Sequence, residues 1–259
     1  MIDSHCHFDF PDFDHDRDAQ FGQAAANGIS GILIPGVKST FFQRQIRVAQ
    51  HFPNIYLAFG LHPYFLEAKS IAELSSLQRF VEQQLDTKTF APVAIGEIGL
   101  DYGIEVDRQL QTQIFEWQLQ LAKSLSLPVI IHHRKSHHDI LAYLKKYQFP
   151  FGGVIHAFSG SQEIAKQYVD LGFYLGIGGT ITYARANKTK TAIASVGLQN
   201  LLLETDAPDM PICGFQGQRN EPQRLPLIAR ALAELLSTST EQVVTTTTHN
   251  FKQLFGIQN

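Results

Sequence analysis

Short apolar, β-branched runs alternate with longer amphipathic stretches along this chain, eight times over. The runs at 2–8, 31–35, 55–61, 92–96, 128–132, 153–156, 173–177 and 201–204 predict strands. Between them, apolar residues recur at helical spacing over 39–51, 71–85, 107–124, 136–147 and 161–171. Pro53, Pro92, Pro128 and Pro150 fall in connections just before strands, where a helix has to stop. Runs such as Val129-Ile130-Ile131 are apolar on both faces, as in parallel strands covered by helices. Eight β-then-α units in about 250 residues predict an α/β fold, a single (β/α)8 TIM-like barrel. An open doubly wound sheet is the rival architecture. No linker or compositional break marks a second domain, so one domain spans 1–259, and the tail 222–255 predicts two helices closing the barrel.

Composition narrows the class. The chain has 259 residues, 44% hydrophobic and only 17% charged, against a usual charged share of about 25%. That excludes disorder, and a chain of this size buries roughly three quarters of its unfolded surface without disulfide staples. The two cysteines, Cys6 and Cys213, are far apart, which argues against a disulfide framework, a zinc ribbon or a thioredoxin-type site. Met1-Ile2-Asp3-Ser4-His5 shows no basic region followed by an apolar stretch, and no apolar run reaches membrane-spanning length. A cytoplasmic protein is expected, with no membrane association and no obligate protein partner. A net charge of −3 leaves no bulk footprint for nucleic acid, so any such contact has to come from a local site.

Three tempting motifs fail. Gly176-Ile177-Gly178-Gly179-Thr180-Ile181 opens like a dinucleotide fingerprint but has Ile181 at the third glycine position. Ala157-Phe158-Ser159-Gly160-Ser161 lacks the glycines of a nucleophile elbow. Asp12-x-Asp14-x-Asp16 resembles a calcium loop, yet Arg17 stands where the bend needs glycine and Gln23 where a bidentate Glu belongs. A solvated loop is expected there.

One constellation survives. His5 and His7 lie two apart on the first predicted strand and face the same way, with Cys6 turned toward the helices as an apolar filler. They sit at the strand's C-terminal end, the face where barrel enzymes keep their active sites. At the same end of other strands stand Glu97, His132, His156 and, in Glu204-Thr205-Asp206, Asp206. Each follows an apolar run that would bury it, and buried charge is tolerated when it is paired or holds a metal. Singly, His132 and His156 read equally as satisfied core histidines, and Glu97 as a salt-bridge partner. Together, four imidazoles and two carboxylates suit two divalent cations sharing a bridging carboxylate.

These blocks carry a family resemblance. Asp3-Ser4-His5-Cys6-His7-Phe8-Asp9, Gly60-Leu61-His62-Pro63, Gly96-Glu97-Ile98-Gly99-Leu100-Asp101, Leu127-Pro128-Val129-Ile130-Ile131-His132, His156-Ala157-Phe158-Ser159-Gly160 and Glu204-Thr205-Asp206-Ala207-Pro208 resemble the signatures of TatD-type metal-dependent hydrolases. Gly178-Gly179-Thr180-Ile181-Thr182-Tyr183 and Gly214-Phe215-Gln216-Gly217-Gln218 are similar to its YjjV-like branch. The resemblance implies an amidohydrolase-like barrel with two metals: His5, His7 and Asp206 on the first, His132 and His156 on the second, Glu97 bridging. His133 departs from the pattern, and strand alternation turns it away from the site.

The activity implied is hydrolysis of DNA phosphodiesters by a two-metal-activated water, from the 3′ end, with Glu97 and Asp206 catalytic and Asp206 taking the proton. DNA or a small phosphodiester is the expected substrate. His62, Arg134 and His137 are candidates for substrate contact; Arg134 reads equally as an exposed helix-start residue. Asp3 and Asp101 are expected to orient ligand histidines. Tyr102, Tyr183 and Arg185 fit groove lining and ordinary packing alike. The same metal pair would serve a deacylase, esterase or amidohydrolase acting on a carbonyl substrate such as an aminoacyl ester, and a non-catalytic, metal-stabilised binding module is a third class. Imidazole-rich ligation favours Zn, Mn, Co or Ni, with Mg also open.

Overall fold

All strands of the computed structural model, which describes residues 1–258, run parallel and pair in chain order. They are β1 (Ile2–Asp3), β2 (Gly31–Pro35), β3 (Ile55–Phe59), β4 (Ala94–Asp101), β5 (Val129–Arg134), β6 (Gly153–Ile155), β7 (Phe173–Ile177) and β8 (Leu201–Leu203). The intervening helices are α1 (Arg17–Ala26), α2 (Phe42–His51), α3 (Ser70–Thr87), α4 (Arg108–Ser124), α5 (His137–Lys146), α6 (Gln162–Asp170) and α7 (Asn187–Val196). Two more, α8 (Leu225–Leu235) and α9 (Thr240–Leu254), form the tail. The last strand returns to the first: Ser4 donates its amide to Leu203 O at 2.9 Å and Asp206 donates to His5 O at 2.9 Å. The result is a (β/α)8 barrel; the open sheet is excluded.

Alternation along the strands sorts the core. Ile2, Leu33, Ala58, Ala94, Ile130, Val154 and Leu202 form one buried cluster, closed by Phe251 and Phe255 at the end of α9. Their neighbours Ile32, Ile34, Leu57, Ile95 and Ile131 join the larger cluster shared with the surrounding helices. Of the two tail helices, α9 therefore supplies the plug. Truncating a residue such as Ile130 to Ala would cost about 2–5 kcal/mol. Side-chain caps start several helices where the sequence suggests: Asp107 accepts from Leu110 N, and Ser161 from Ile164 N.

Three local expectations are corrected. The first strand is paired only over Ile2–Asp3, not 2–8. Beyond it the amides split between neighbours, Cys6 donating to Leu33 O and His7 to Ala207 O, so no regular ladder continues. The fourth strand runs on to Asp101, with a register shift between Ile95 and Ile98 that places Glu97 inside it. The acidic stretch is more than a solvated loop: Asp14 pairs with Arg17 and Arg44, and Asp16 with Arg219. Among the described residues no helix is long and apolar enough to cross a membrane.

Candidate metal centre

The C-terminal ends of the strands bring His5, His7, Glu97, His132, His156 and Asp206 to one cavity mouth. His5 and His7 are carried by the irregular segment after β1, and Asp3 pins that segment: its Oδ1 accepts the amides of His5 (3.3 Å) and Thr205 (3.0 Å). Asp3 thus holds backbone on both sides of the barrel seam, not an imidazole ring. Desolvation raises its carboxyl to about 7, against the opposing hydrogen bonds from Thr205. Cys6 between the histidines faces the helix-side core, as expected. Asp206 sits at φ 58°, a left-handed turn that Asp tolerates better than most side chains.

Glu97 is the hub. Its Oε2 lies 3.0 Å from His5 Nε2 and 3.7 Å from His7 Nε2. Its Oε1 lies 3.2 Å from His132 Nδ1 and 3.7 Å from His156 Nε2. Asp206 divides in the same way, with Oδ1 at 3.6 Å from both His5 and His7 Nε2 and Oδ2 at 3.7 Å from His156 Nε2. Ligands bonded to one ion at about 2.0–2.2 Å stand roughly 3–3.5 Å from each other; the His5 and His132 contacts of Glu97 fall in that range and the others lie a few tenths of an ångström beyond it. Buried atoms of the cluster also lack hydrogen-bond partners, namely both ring nitrogens of His5, His7 Nδ1, His156 Nδ1 and Glu97 Oε1. Orphaned donors and acceptors of this kind call for an ion.

Burial sets three of the rings in the ligating form. Burial holds His5 and His7 below the usual imidazole range and takes His156 down to about 4, so these rings are neutral, the ligating form. Against its own desolvation, the surrounding His62, His5 and His156 hold Glu97 well below the carboxylate range. Burial, with Glu97 and Glu204 nearby, pushes Asp206 well above it. Burial opposes protonation of His132, but the hydrogen bond to Asp101 and the adjacent charge of Glu97 carry it to about 9. Asp101 Oδ2, 3.2 Å from His132 Nε2, turns the ring so that Nδ1 meets Glu97.

His62 Nδ1 accepts the amide of Tyr64 at 3.0 Å, which places the ring proton on Nε2, 3.3 Å from Glu97 Oε1. The neutral ring therefore offers a donor there, not a lone pair for a metal. Arg134 stands at the rim with its side chain 58% exposed, 3.9 Å from Asp101. His137 does not come to the cavity wall: its Nε2 donates to Ser159 O at 2.8 Å, and its Nδ1 meets Tyr168 OH at 3.1 Å. His133, expected to turn away from the site, borders the cavity, with its ring stacked on His137 at 4.2 Å between centroids. Tyr102 is likewise off the cavity, its OH donating to Asp139 at 2.6 Å. The cavity measures about 640 Å³, and Phe10, Tyr64 and Phe65 are the aromatic part of its lining.

One residue was missed as a site residue. Glu204, fully buried, accepts the amide of Ala157 at 2.6 Å and lies 3.0 Å from His156 Nδ1. Its place in Glu204-Thr205-Asp206 was the available signal. The reason a carboxylate fits there is Gly176 on β7, where a Cβ would come within 2.2 Å of Glu204 Oε2. The first glycine of the stretch that failed as a dinucleotide fingerprint makes room for an acid.

Fold and site together define a metal-dependent hydrolase built on a TIM barrel. The chain belongs to the family described as TatD related DNase, whose model matches residues 2–256. The metal-dependent hydrolase YjjV of Escherichia coli K12, itself uncharacterized, is 42% identical over 258 residues, covering 99% of this chain and 98% of its own. Its crystal structure superposes with a TM-score of 0.93 over 100% of this chain and 98% of that one, at 41% identity. A Klebsiella pneumoniae protein named 3′-5′ ssDNA/RNA exonuclease TatD is 32% identical over 255 residues, covering 95% of this chain and 94% of its own.

Proposed function

We propose that this hydrolase cleaves phosphodiester bonds of single-stranded nucleic acid from the 3′ end, with two divalent cations held about Glu97. The observation that carries the two-cation reading is the division of one buried carboxylate, Oε2 toward His5 and His7, Oε1 toward His132 and His156. The name of the Klebsiella relative supports the substrate. In this reading His5, His7 and Asp206 hold one cation and His132 and His156 the other. When bound, such cations acidify water and draw charge from phosphoryl oxygens.

The chain's own groups do the rest. Asp206, at the cavity lining within 3.6–3.7 Å of three ligand histidines, is the base that orients the attacking water and takes its proton. His62 presents Nε2–H to a phosphoryl oxygen, a donor placed before the charge develops. The exposed guanidinium of Arg134 offers a fork of N–H groups to the phosphate at the rim. Phe10 and Phe65 add apolar surface to the cavity lining and limit water. His137, committed to Ser159 and Tyr168, has no part in substrate contact.

The test is a substrate panel on purified, metal-loaded protein: 3′-labelled single-stranded DNA, bis-p-nitrophenyl phosphate and an aminoacyl ester. Release of labelled mononucleotide is expected. Ester cleavage with the DNA intact would move the reading to carbonyl chemistry. Inertness on all three, with chelation changing only the melting temperature, would leave a metal-stabilised binding module.

A further inference from the structure

Beside the metal cavity lies a second one of about 360 Å³, within the roughly 300–1,000 Å³ of small-ligand sites, and Met210 borders both. The shared border is held in place. Met210 sits at φ 50° and its carbonyl accepts from Asn220 Nδ2 at 3.2 Å. Across from it, a Cβ on Gly179 would stand 2.8 Å from the same carbonyl oxygen, so β7's exit loop passes hard against this turn.

The second cavity carries two groups of matched chemistry. Tyr183 is half-buried, and its OH donates to Pro211 O at 2.7 Å, so one face of the ring is presented at a set angle. The guanidinium of Arg185 lies 5.2 Å from that ring's centroid. Arg185 is exposed and, among the described residues, makes no salt bridge; the ring is its partner. In a chain of net charge −3, the stretch 183–200 bears Arg185, Lys188 and Lys190 and no acid. An aromatic face beside a cation that no carboxylate neutralises, on the edge of a hydrolytic cavity, is the combination that holds a base and its phosphate in single strands.

We propose that the cavity of Tyr183 and Arg185 is a subsite for the nucleotide next to the scissile phosphate, the base on the Tyr183 ring and the phosphate on Arg185. This rests on the nucleic-acid reading above and deepens it: the enzyme grips a strand, not an isolated diester. A substrate that ends at the scissile bond leaves this subsite empty. Methyl p-nitrophenyl phosphate, with one aryl leaving group and no second ring, is such a substrate.

The experiment compares KM for a 3′-labelled single-stranded oligonucleotide with KM for methyl p-nitrophenyl phosphate. Base–aromatic stacking of about 1–3 kcal/mol means that Tyr183→Ala raises the ratio of the two roughly tenfold, while Tyr183→Phe, which keeps the ring, restores it. Arg185→Ala lowers the slope of log KM for DNA against log salt by about 0.7, one phosphate contact on a single strand. Unchanged ratios and slopes in variants of an enzyme that cleaves DNA overturn the subsite alone, as does an equal rise in KM on both substrates. Wild-type protein that leaves DNA intact overturns the nucleic-acid reading and the subsite with it.

Discussion

Glu204 Oε1 lies 3.0 Å from His156 Nδ1, both side chains sealed from solvent. Burial raises the Glu204 carboxyl to about 7. The pair makes no aligned hydrogen bond, so the carboxylate acts on the far ring nitrogen through its charge and position, and partners there are worth up to about 10- to 100-fold in metal affinity. Glu204→Gln should weaken metal binding by that factor in a calorimetric titration. Gly176→Ala should do the same without touching the acid, because its methyl would fall on Glu204 Oε2. Full affinity in Gly176→Ala would remove Glu204 from the orientation of His156.

Glu97→Ala should abolish hydrolysis and lower the metal content of the purified protein. The fold should persist, since the barrel plug of Ile130, Leu202 and Phe251 is a separate cluster from the mouth. Turnover and metal analysis of the same sample decide it. Wild-type turnover in this variant would end the case for a carboxylate shared between cations.

Asp206→Asn keeps the shape of the side chain and removes the proton acceptor. A fall of about 10²–10⁴ in kcat is expected, the usual worth of a general base. A change confined to KM would strip Asp206 of that role.

Arg134→Ala acts at the rim, where the guanidinium is mostly exposed. A hydrogen bond to a charged group is worth about 1.5–3 kcal/mol, so KM should rise at least about tenfold with kcat little altered. An unchanged KM takes Arg134 out of substrate binding.

Asp16 links α1 to the loop before α8 through Arg219, at 2.9 Å. The hydrogen bonds from Arg219, aided by Gln20 and opposed by desolvation, take its carboxyl from 3.8 to about 2. A depressed carboxylate stabilises the fold above its unfolded pKa and loses that contribution as pH falls through the folded value. Asp16→Asn should therefore cost on the order of 1 kcal/mol at pH 7, allowing for solvent screening. In urea unfolding the gap to wild type should narrow from pH 4 toward pH 2. A gap independent of pH would assign the loss to packing.

Much of this protein was legible along the chain, and the limits of that legibility have physical causes. Eight repeats of a strand pattern and a helix pattern determine the barrel, because apolar runs flanked by proline and amphipathic stretches admit few other packings. The same logic exposed His5, His7, Glu97, His132, His156 and Asp206, since a polar residue ending an apolar strand has few reasons to be there. Tertiary structure alone decided the rest. That Glu97 turns one oxygen to each histidine pair follows from barrel closure, which brings the segment after β1 and the ends of β5 and β6 to the same mouth as β4, a relation between residues far apart in sequence. His62 became a donor through the amide of Tyr64, and His137 left the site through Tyr168 and Ser159. Gly176 matters for the side chain it lacks, and only the neighbouring strand shows what fills the space. Periodicity reports which face a residue takes; which atom it meets there is set by chain that folds back from elsewhere.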